Sequence, residues 1–383
     1  MKRYYFTLLI AAVAVVLVAL NGCIKEPALG TSTPKLPTQP YNYEATQNNN
    51  LKFSLGDNTP TNNQVTNAGA TLGRVLFYDK RLSVNNSIAC ASCHKQDLAF
   101  ADNVAFSDGF AGKKTARNSM AIINTFCKSS FFWDGRANTM EQQTLMPVKN
   151  HVEMGLENFD VLQTKLAQTS FYPELFNAAF GNTEVTSEKI SLALAQFMRS
   201  IVSNKSKFDV AGWSGLSESE MRGANIFFSN GHCSTCHRTD NFGGAPITTP
   251  YGGQTDAPAN SSNIGLDMEY ADAGIGALNN KPGQNGLFII PSLRNVELTA
   301  PYMHDGRFQT LEEVIEHYNN GIQPNVNLDH VLVQGGDSSS VAVPVVPVKL
   351  NLSAADKVDL IAFLKTLTDH SITTDPKYSD PFK

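Results

Sequence analysis

Cys90-Ala91-Ser92-Cys93-His94 and Cys233-Ser234-Thr235-Cys236-His237 follow one pattern, C-x-x-C-H. Two thiols at that spacing reach the two vinyl groups of a single haem, and the histidine that follows presents its imidazole to the iron. A four-cysteine zinc site is the main alternative for two C-x-x-C pairs. The pairs lie far apart, however, and each is followed at once by histidine. A thioredoxin-like redox pair would need a βαβ context that the surrounding sequence lacks. Each motif also follows a similar segment: Gly73-Arg74-Val75-Leu76-Phe77-Tyr78 before the first, Gly223-Ala224-Asn225-Ile226-Phe227-Phe228 before the second. Both read as a short helix with a close-packing glycine and an aromatic pair. The expectation is a mainly α fold with two cytochrome-c-like helical haem domains, long loops and little strand.

Outward from the motifs, apolar spacing predicts further helices. Leu162, Leu166, Leu175, Phe176 and Phe180 form a face interrupted near Pro173. Ile190, Leu194, Phe197, Met198 and Ile201 form a strong amphipathic helix, and Met221, Ala224, Ile226 and Phe227 a shorter one. Leu311, Val314, Ile315 and Tyr318 make another, and a last helix is expected from Ser353, its N-cap, to Leu367. Residues 243–286 and 334–348, rich in Gly, Asn, Ser and Pro, read as loops.

The chain has 383 residues, of which 42% are hydrophobic and 17% charged, enough to bury a sizeable core. A formal net charge of −5 with no basic run excludes a nucleic-acid partner and suits a basic protein partner. Lys2 and Arg3 followed by an apolar run from Leu8 to Leu20 read as a signal peptide over 1–22. Leu20-Asn21-Gly22-Cys23 resembles a bacterial lipobox, so Cys23 is expected to carry lipid and to anchor an exported, periplasmic lipoprotein. Ile24 is not the aspartate of an inner-membrane retention signal, which points to the outer membrane. Residues 23–50, rich in Pro, Thr, Asn and Gln, read as a flexible tether. Of the six cysteines, Cys127 is left over and reads as a small buried hydrophobe.

From about residue 66 to 370 the chain resembles the bacterial di-haem cytochrome c peroxidase family, which includes the maturation enzyme of methylamine dehydrogenase. The resemblance is carried by Leu72-Gly73-Arg74-Val75-Leu76-Phe77-Tyr78-Asp79 with Arg81-Leu82-Ser83, by Arg117-Asn118-Ser119, and by Phe132-Trp133-Asp134-Gly135-Arg136-Ala137. Further on it is carried by Glu153-Met154-Gly155, Pro291-Ser292-Leu293-Arg294-Asn295-Val296 and Thr299-Ala300-Pro301-Tyr302-Met303-His304-Asp305-Gly306. It implies an N-terminal peroxidatic haem domain over 51–205, a C-terminal electron-transfer haem domain over 206–370 onto whose neighbour the final helix can pack back, and a tail over 371–383. His94 and His237 are then the proximal iron ligands. Glu153 is the acid-base carboxylate, Gln143 a polar neighbour on the same haem face as Pro147, and Trp133 the aromatic residue between the haems. Asn118, Thr299 and Pro301 match the ligands of a calcium ion at the domain interface, a choice of oxygen donors that suits Ca²⁺. Arg117, Arg294 and Arg307 are candidates for haem propionates or for ordinary salt bridges.

Two positions depart from the typical peroxidase. Phe110 stands where a loop histidine caps the resting peroxidatic haem, and no histidine lies between His94 and His151. The first haem is therefore expected to be open at rest, without need of reductive activation. Tyr318 stands where a methionine closes the relay haem, as it does in the methylamine dehydrogenase (MauG-like) branch, with Met303 and His304 as rival ligands. An anionic oxygen ligand favours ferric iron, whereas a thioether favours ferrous iron. The resemblance implies reduction of hydrogen peroxide to water with electrons from a cytochrome c, a cupredoxin or a quinol pool. The alternatives are a peroxide-dependent oxidase acting on a partner protein or small substrate, and a non-catalytic electron-transfer cytochrome. The oligomeric state is open, a homodimer included.

Overall fold

Thr66 ends an extended approach, and its hydroxyl accepts from the Gly69 N–H to start the first helix, α1 (Asn67–Tyr78). In the computed structural model, residues 32–47, 56–237, 241–243, 260–336 and 344–383 are described. The segment read as a signal peptide, and Cys23, lie outside them. A single turn, α2 (Cys90–Cys93), carries the first motif. It is followed by α3 (Met140–Lys149), α4 (Phe159–Ala167), α5 (Tyr172–Phe180) and α6 (Ser187–Ser200). The expected break near Pro173 lies between α4 and α5, with proline in the first turn of α5, where its missing N–H costs nothing.

The second unit contains α7 (Lys207–Ala211), α8 (Glu218–Phe228), the motif turn α9 (Cys233–Cys236), α10 (Ile275–Asn279), α11 (Leu311–Glu316) and α12 (Ala354–Lys365). Ser217 with Glu220, Thr310 with Glu313 and Ser353 with Asp356 form reciprocal capping boxes at α8, α11 and α12. The only sheet among the described residues pairs β1 (Ser261–Ser262) antiparallel to β2 (Phe288–Ile289), with Ser261 opposite Ile289. The fold is mainly α, as expected.

Both units are organised by one crossing. A Cβ on Gly73 of α1 would collide with the Ala193 carbonyl oxygen of α6, and one on Gly223 of α8 with the Asp359 carbonyl oxygen of α12. The bare glycines let the backbones touch, and a core closes around each contact. Leu72, Leu76, Phe77, Leu194 and Phe197 are buried at the first, Phe227, Leu360, Phe363 and Leu364 at the second.

Two expectations are corrected. Part of the stretch read as a flexible tether is packed structure: Tyr43 is fully buried, edge-on to Phe197, and its hydroxyl donates to the Lys377 carbonyl at 2.7 Å. Its aromatic rings have apolar area to bury, which the polar composition around them conceals. The final helix α12 belongs to the second core and does not pack back on the first unit; the segment after it does. Tyr378 is buried against Phe100 and Phe197, and its hydroxyl donates to Ser200 O at 2.6 Å.

The connection between units is pinned rather than slack. Asn124 and Ser203 exchange two hydrogen bonds, Asn295 Nδ2 donates to Ser203 Oγ, and Asp369 Oδ2 accepts from the N–H groups of Asn204 and Lys205.

Candidate haem sites and the wall between them

Each motif turn ends in a histidine held the same way. His94 Nδ1 lies 3.0 Å from Phe100 O, and His237 Nδ1 lies 3.1 Å from Phe242 O. Donation from Nδ1–H to a carbonyl fixes the ring and leaves Nε2 as the free lone pair, the arrangement an iron ligand needs. Burial pushes His237 down to about 4 and lowers His94 as well, so both rings are neutral at pH 7. Burial pushes the Cys90 and Cys233 thiols up to about 12 and Cys93 up to about 11. None of these cysteines is in a disulfide.

Each histidine lines its own cavity. The first, about 950 Å³, is lined by His94, Gln143, Pro147, Asn150, Glu153 and charged residues including Arg117 and Arg136. The second, about 230 Å³, is lined by Cys233, Cys236, His237, Tyr318 and a mostly apolar wall that includes Phe227, Leu311 and Ile315. The structure thus brings Glu153, Gln143 and Pro147 together with His94, and Tyr318 together with His237. Burial raises the Glu153 carboxyl above its ordinary value, with the Arg136 charge opposing, and Asn150 Nδ2 donates to Glu153 Oε1 at 2.9 Å. Gln143 Oε1 is buried with no hydrogen-bond partner, an orphaned acceptor beside the cavity. Phe110 lies behind Glu153: its N–H donates to Glu153 O at 2.9 Å, and its ring fills the space left by Gly155, whose φ is +72°.

Tyr318 lies in a π turn, His317–Gly321, that continues α11, a distortion frequent at functional sites. Its hydroxyl makes no hydrogen bond among the described residues, and burial raises its pKa, with the Cys236 and Cys233 thiols near enough to contribute. The rivals differ. His304 is stacked on Phe288 at 3.8 Å, and its carbonyl accepts from Asn118 N; both it and Met303 line the second cavity.

Trp133 lines both cavities. Its indole Nε1–H donates to Asn118 O at 2.9 Å, and its carbonyl accepts from Ile289 N of β2. Asn118, Thr299 and Pro301 all line the second cavity; Asn118 Nδ2 donates to Val104 O at 3.1 Å. No cluster of three or more His, Cys, Asp or Glu among the described residues forms a metal site. The three arginines are committed to carboxylates: Arg117 to Asp134 and Asp272, Arg294 to Asp209, and Arg307 to Asp267 and Asp305.

A second half of the internal repeat escaped sequence reading. Phe131-Phe132-Trp133-Asp134-Gly135-Arg136-Ala137 and Tyr302-Met303-His304-Asp305-Gly306-Arg307-Phe308 form the same loop, closed by Phe131–Ala137 and Tyr302–Phe308 bridges. Phe132 and Met303 share a positive φ, as do Gly135 and Gly306. At this same offset α3 matches α11, and Pro147 matches Tyr318. The shared Asp-Gly-Arg was the available signal. The equivalence puts a proline, with no donor or ligand atom in its side chain, where the second unit has a phenol.

A methylamine utilization protein MauG from Methylophilus methylotrophus is 34% identical over 82% of this chain and 88% of its own length. The chain belongs to the di-haem cytochrome c peroxidase family. The family model described as di-haem cytochrome c peroxidase matches residues 67–215. Cytochrome c551 peroxidase of Nitrosomonas europaea is 34% identical over 64% of this chain and 71% of its own. Among solved structures, a MauG-like protein associated with microbial copper homeostasis superposes with a TM-score of 0.72 at 33% identity, covering 85% of this chain and 97% of that one. Membership of this family implies two c-type haems. The residues present fit them: two thiols outside any disulfide and an Nδ1-anchored, neutral histidine in each motif, and an orphaned acceptor beside the first cavity.

Proposed function

We propose that this di-haem peroxidase reduces hydrogen peroxide to water at the first haem, taking two electrons and two protons per peroxide, with electrons entering through the second haem. The observation that carries this reading is the half-buried Glu153 on the wall of the His94 cavity, in whose described lining His94 is the sole histidine and no tyrosine stands. Haem iron would supply the site for the peroxide oxygen and the path for the electrons. Cys90 and Cys93 would hold the first haem and Cys233 and Cys236 the second, with His94 and His237 as ligands through Nε2. Glu153 takes a proton from the nearer peroxide oxygen and returns it to the leaving one, which then departs as water. Asn150 orients that carboxylate, and Gln143 offers its unpaired carbonyl to the same space. Pro147 offers no ligand atom to a haem in the first cavity, whereas the Tyr318 hydroxyl would offer one to a haem in the second. Trp133, shared by both walls, is the natural relay.

Asn118 Oδ1 with the carbonyls of Thr299 and Pro301 would hold Ca²⁺ beside the second cavity, since the Asn118 Nδ2 is already spent on Val104 O. The electron donor is a small redox protein such as a cytochrome c or cupredoxin, with a quinol pool as the other source. Lipid on Cys23 would hold the enzyme on the periplasmic side, at the outer membrane, where a homodimer is compatible with this reading.

Tyr318 favours a second reading, a peroxide-dependent oxidase of a partner protein or small substrate, because a phenolate ligand stabilises oxidised iron. Titration of the oxidised protein with one equivalent of peroxide, followed by haem absorption, tests both. Reaction without prior reduction, followed by turnover with a reduced cytochrome c, supports the peroxidase with an open first haem. Reaction without turnover favours the oxidase. Inertness until the second haem is reduced would overturn the open first haem.

A further inference from the structure

Among the described residues, the cations around the two cavities are paired, with one exception. Lys114 faces Asp108 at 2.6 Å, Arg117 bridges Asp134 and Asp272, and Arg136 holds Asp134 at 2.9 Å. Lys128 also lines both cavities, and its ammonium has no hydrogen bond or ion pair among the described residues. It follows the turn Thr125–Cys127 of the first unit, where its own N–H donates to Thr125 O. Burial lowers its pKa, with no carboxylate near enough to oppose the loss of hydration. A partly buried ammonium without a counterion is costly, and an anion that enters beside it relieves that cost.

The second cavity narrows the choice of anion. Its described lining contains no other lysine or arginine, and its walls are largely apolar. Arg294 and Arg307, the arginines of the second unit that the sequence offered for this purpose, are spent on aspartates. A c-type haem brings two propionates into that pocket, and each needs a cation or water.

We propose that Lys128 is the counterion of the second haem, its ammonium pairing with a propionate of the haem attached at Cys233 and Cys236. The lysine belongs to the first unit and the haem to the second. The pair therefore ties haem loading in one unit to the seating of the other. It also places a positive charge beside the second iron, which raises its reduction potential relative to the protein without it. Thr299 occupies the corresponding place in the second unit's loop and carries no charge, so the device is one-sided.

The test is spectroelectrochemical titration of the full holoprotein and of Lys128→Met and Lys128→Arg. Haem content is checked by the pyridine haemochrome assay, and the two waves are assigned by which one moves in Tyr318→Phe. The expected result is two haems per chain in all, a lower midpoint for the second haem in K128M, an unchanged first haem, and a near-native second midpoint in K128R. Loss of the second haem in K128M with its retention in K128R supports the same pairing. A shift confined to the first haem, no shift in either, or loss of haem in both variants would overturn it. Fewer than two haems per chain in the unsubstituted protein would instead remove the di-haem reading on which the pairing rests.

Discussion

Glu153 shows how much of this site one side chain carries. Its carboxyl sits between Asn150, which donates to it, and a cavity wall that strips away water, and that burial raises its pKa above the ordinary glutamate value of 4.5. A proton acceptor must be ionised before peroxide arrives. Below its pKa the group is neutral and cannot take the first proton, so activity should rise with pH through an apparent pKa above that of a free glutamate. Glu153→Gln should remove this acidic limb and lower kcat/KM for peroxide by ~10²–10⁴-fold, with both haem spectra retained. A pH profile of kcat/KM in the two proteins checks both points, and an unchanged limb in E153Q would assign it to another group. The motif residues around Glu153 were legible because their order along the chain matches the family. The seat of Phe110 was not: the sequence places it in the loop, but only folding shows its ring against Gly155, behind the carboxylate and outside the cavity wall.

Helices were legible where local chemistry defines them. Ser353 and Asp356 mark the start of α12 by reciprocal hydrogen bonds three residues apart, and Pro173 marks the start of α5. The π turn after α11 was not legible, because nothing in His317-Tyr318-Asn319-Asn320-Gly321 demands it. It is held from outside, by Leu350 N donating to Asn319 O and Leu352 N donating to Asn319 Oδ1 at 2.7 Å. The crossing glycines yield a test in which two effects oppose. On helix propensity alone, Gly73→Ala or Gly223→Ala would stabilise by about 1 kcal/mol. The added methyl, however, meets a backbone carbonyl that cannot rotate away, and overpacking of that kind costs ~1–3 kcal/mol. Each substitution should therefore destabilise the unit that contains it, read as a lower denaturant midpoint. A net gain at either position would show that the helices do not cross there.

At the scale of the molecule the chain ends bind the first unit together. The segment after α12 crosses back, Tyr378 fills the space between Phe100 and Phe197, and Tyr43 from the other end lies against the same helix α6. Arg74 adds a hydrogen bond to Pro376 O, and Tyr78 one to Tyr378 O. Tyr378→Ala should cost the first unit ~3–5 kcal/mol, the range for truncating a buried aromatic ring, although it lines neither cavity. Guanidinium unfolding followed at the first haem's absorption measures this, and a loss below 1 kcal/mol would mean the tail is dispensable. The same closure gives Trp133 its place: it becomes part of both cavities only because β2 and Asn118 hold it at the boundary.

By itself the sequence determined the two C-x-x-C-H motifs, the helical class and the family. Each of these is written in short-range spacing: thiol to thiol to imidazole, cap to first turn, glycine before an aromatic pair. Tertiary structure alone decided which charges cancel and which remain. Arg117 and Asp272, or Arg294 and Asp209, are far apart in the chain, and their pairing depends on how the two units close. Lys128 is left over by that closure, and Tyr318 and Pro147 become counterparts through it. The cavity walls gather residues from distant segments, so local spacing could suggest individual members but could not define the wall between them.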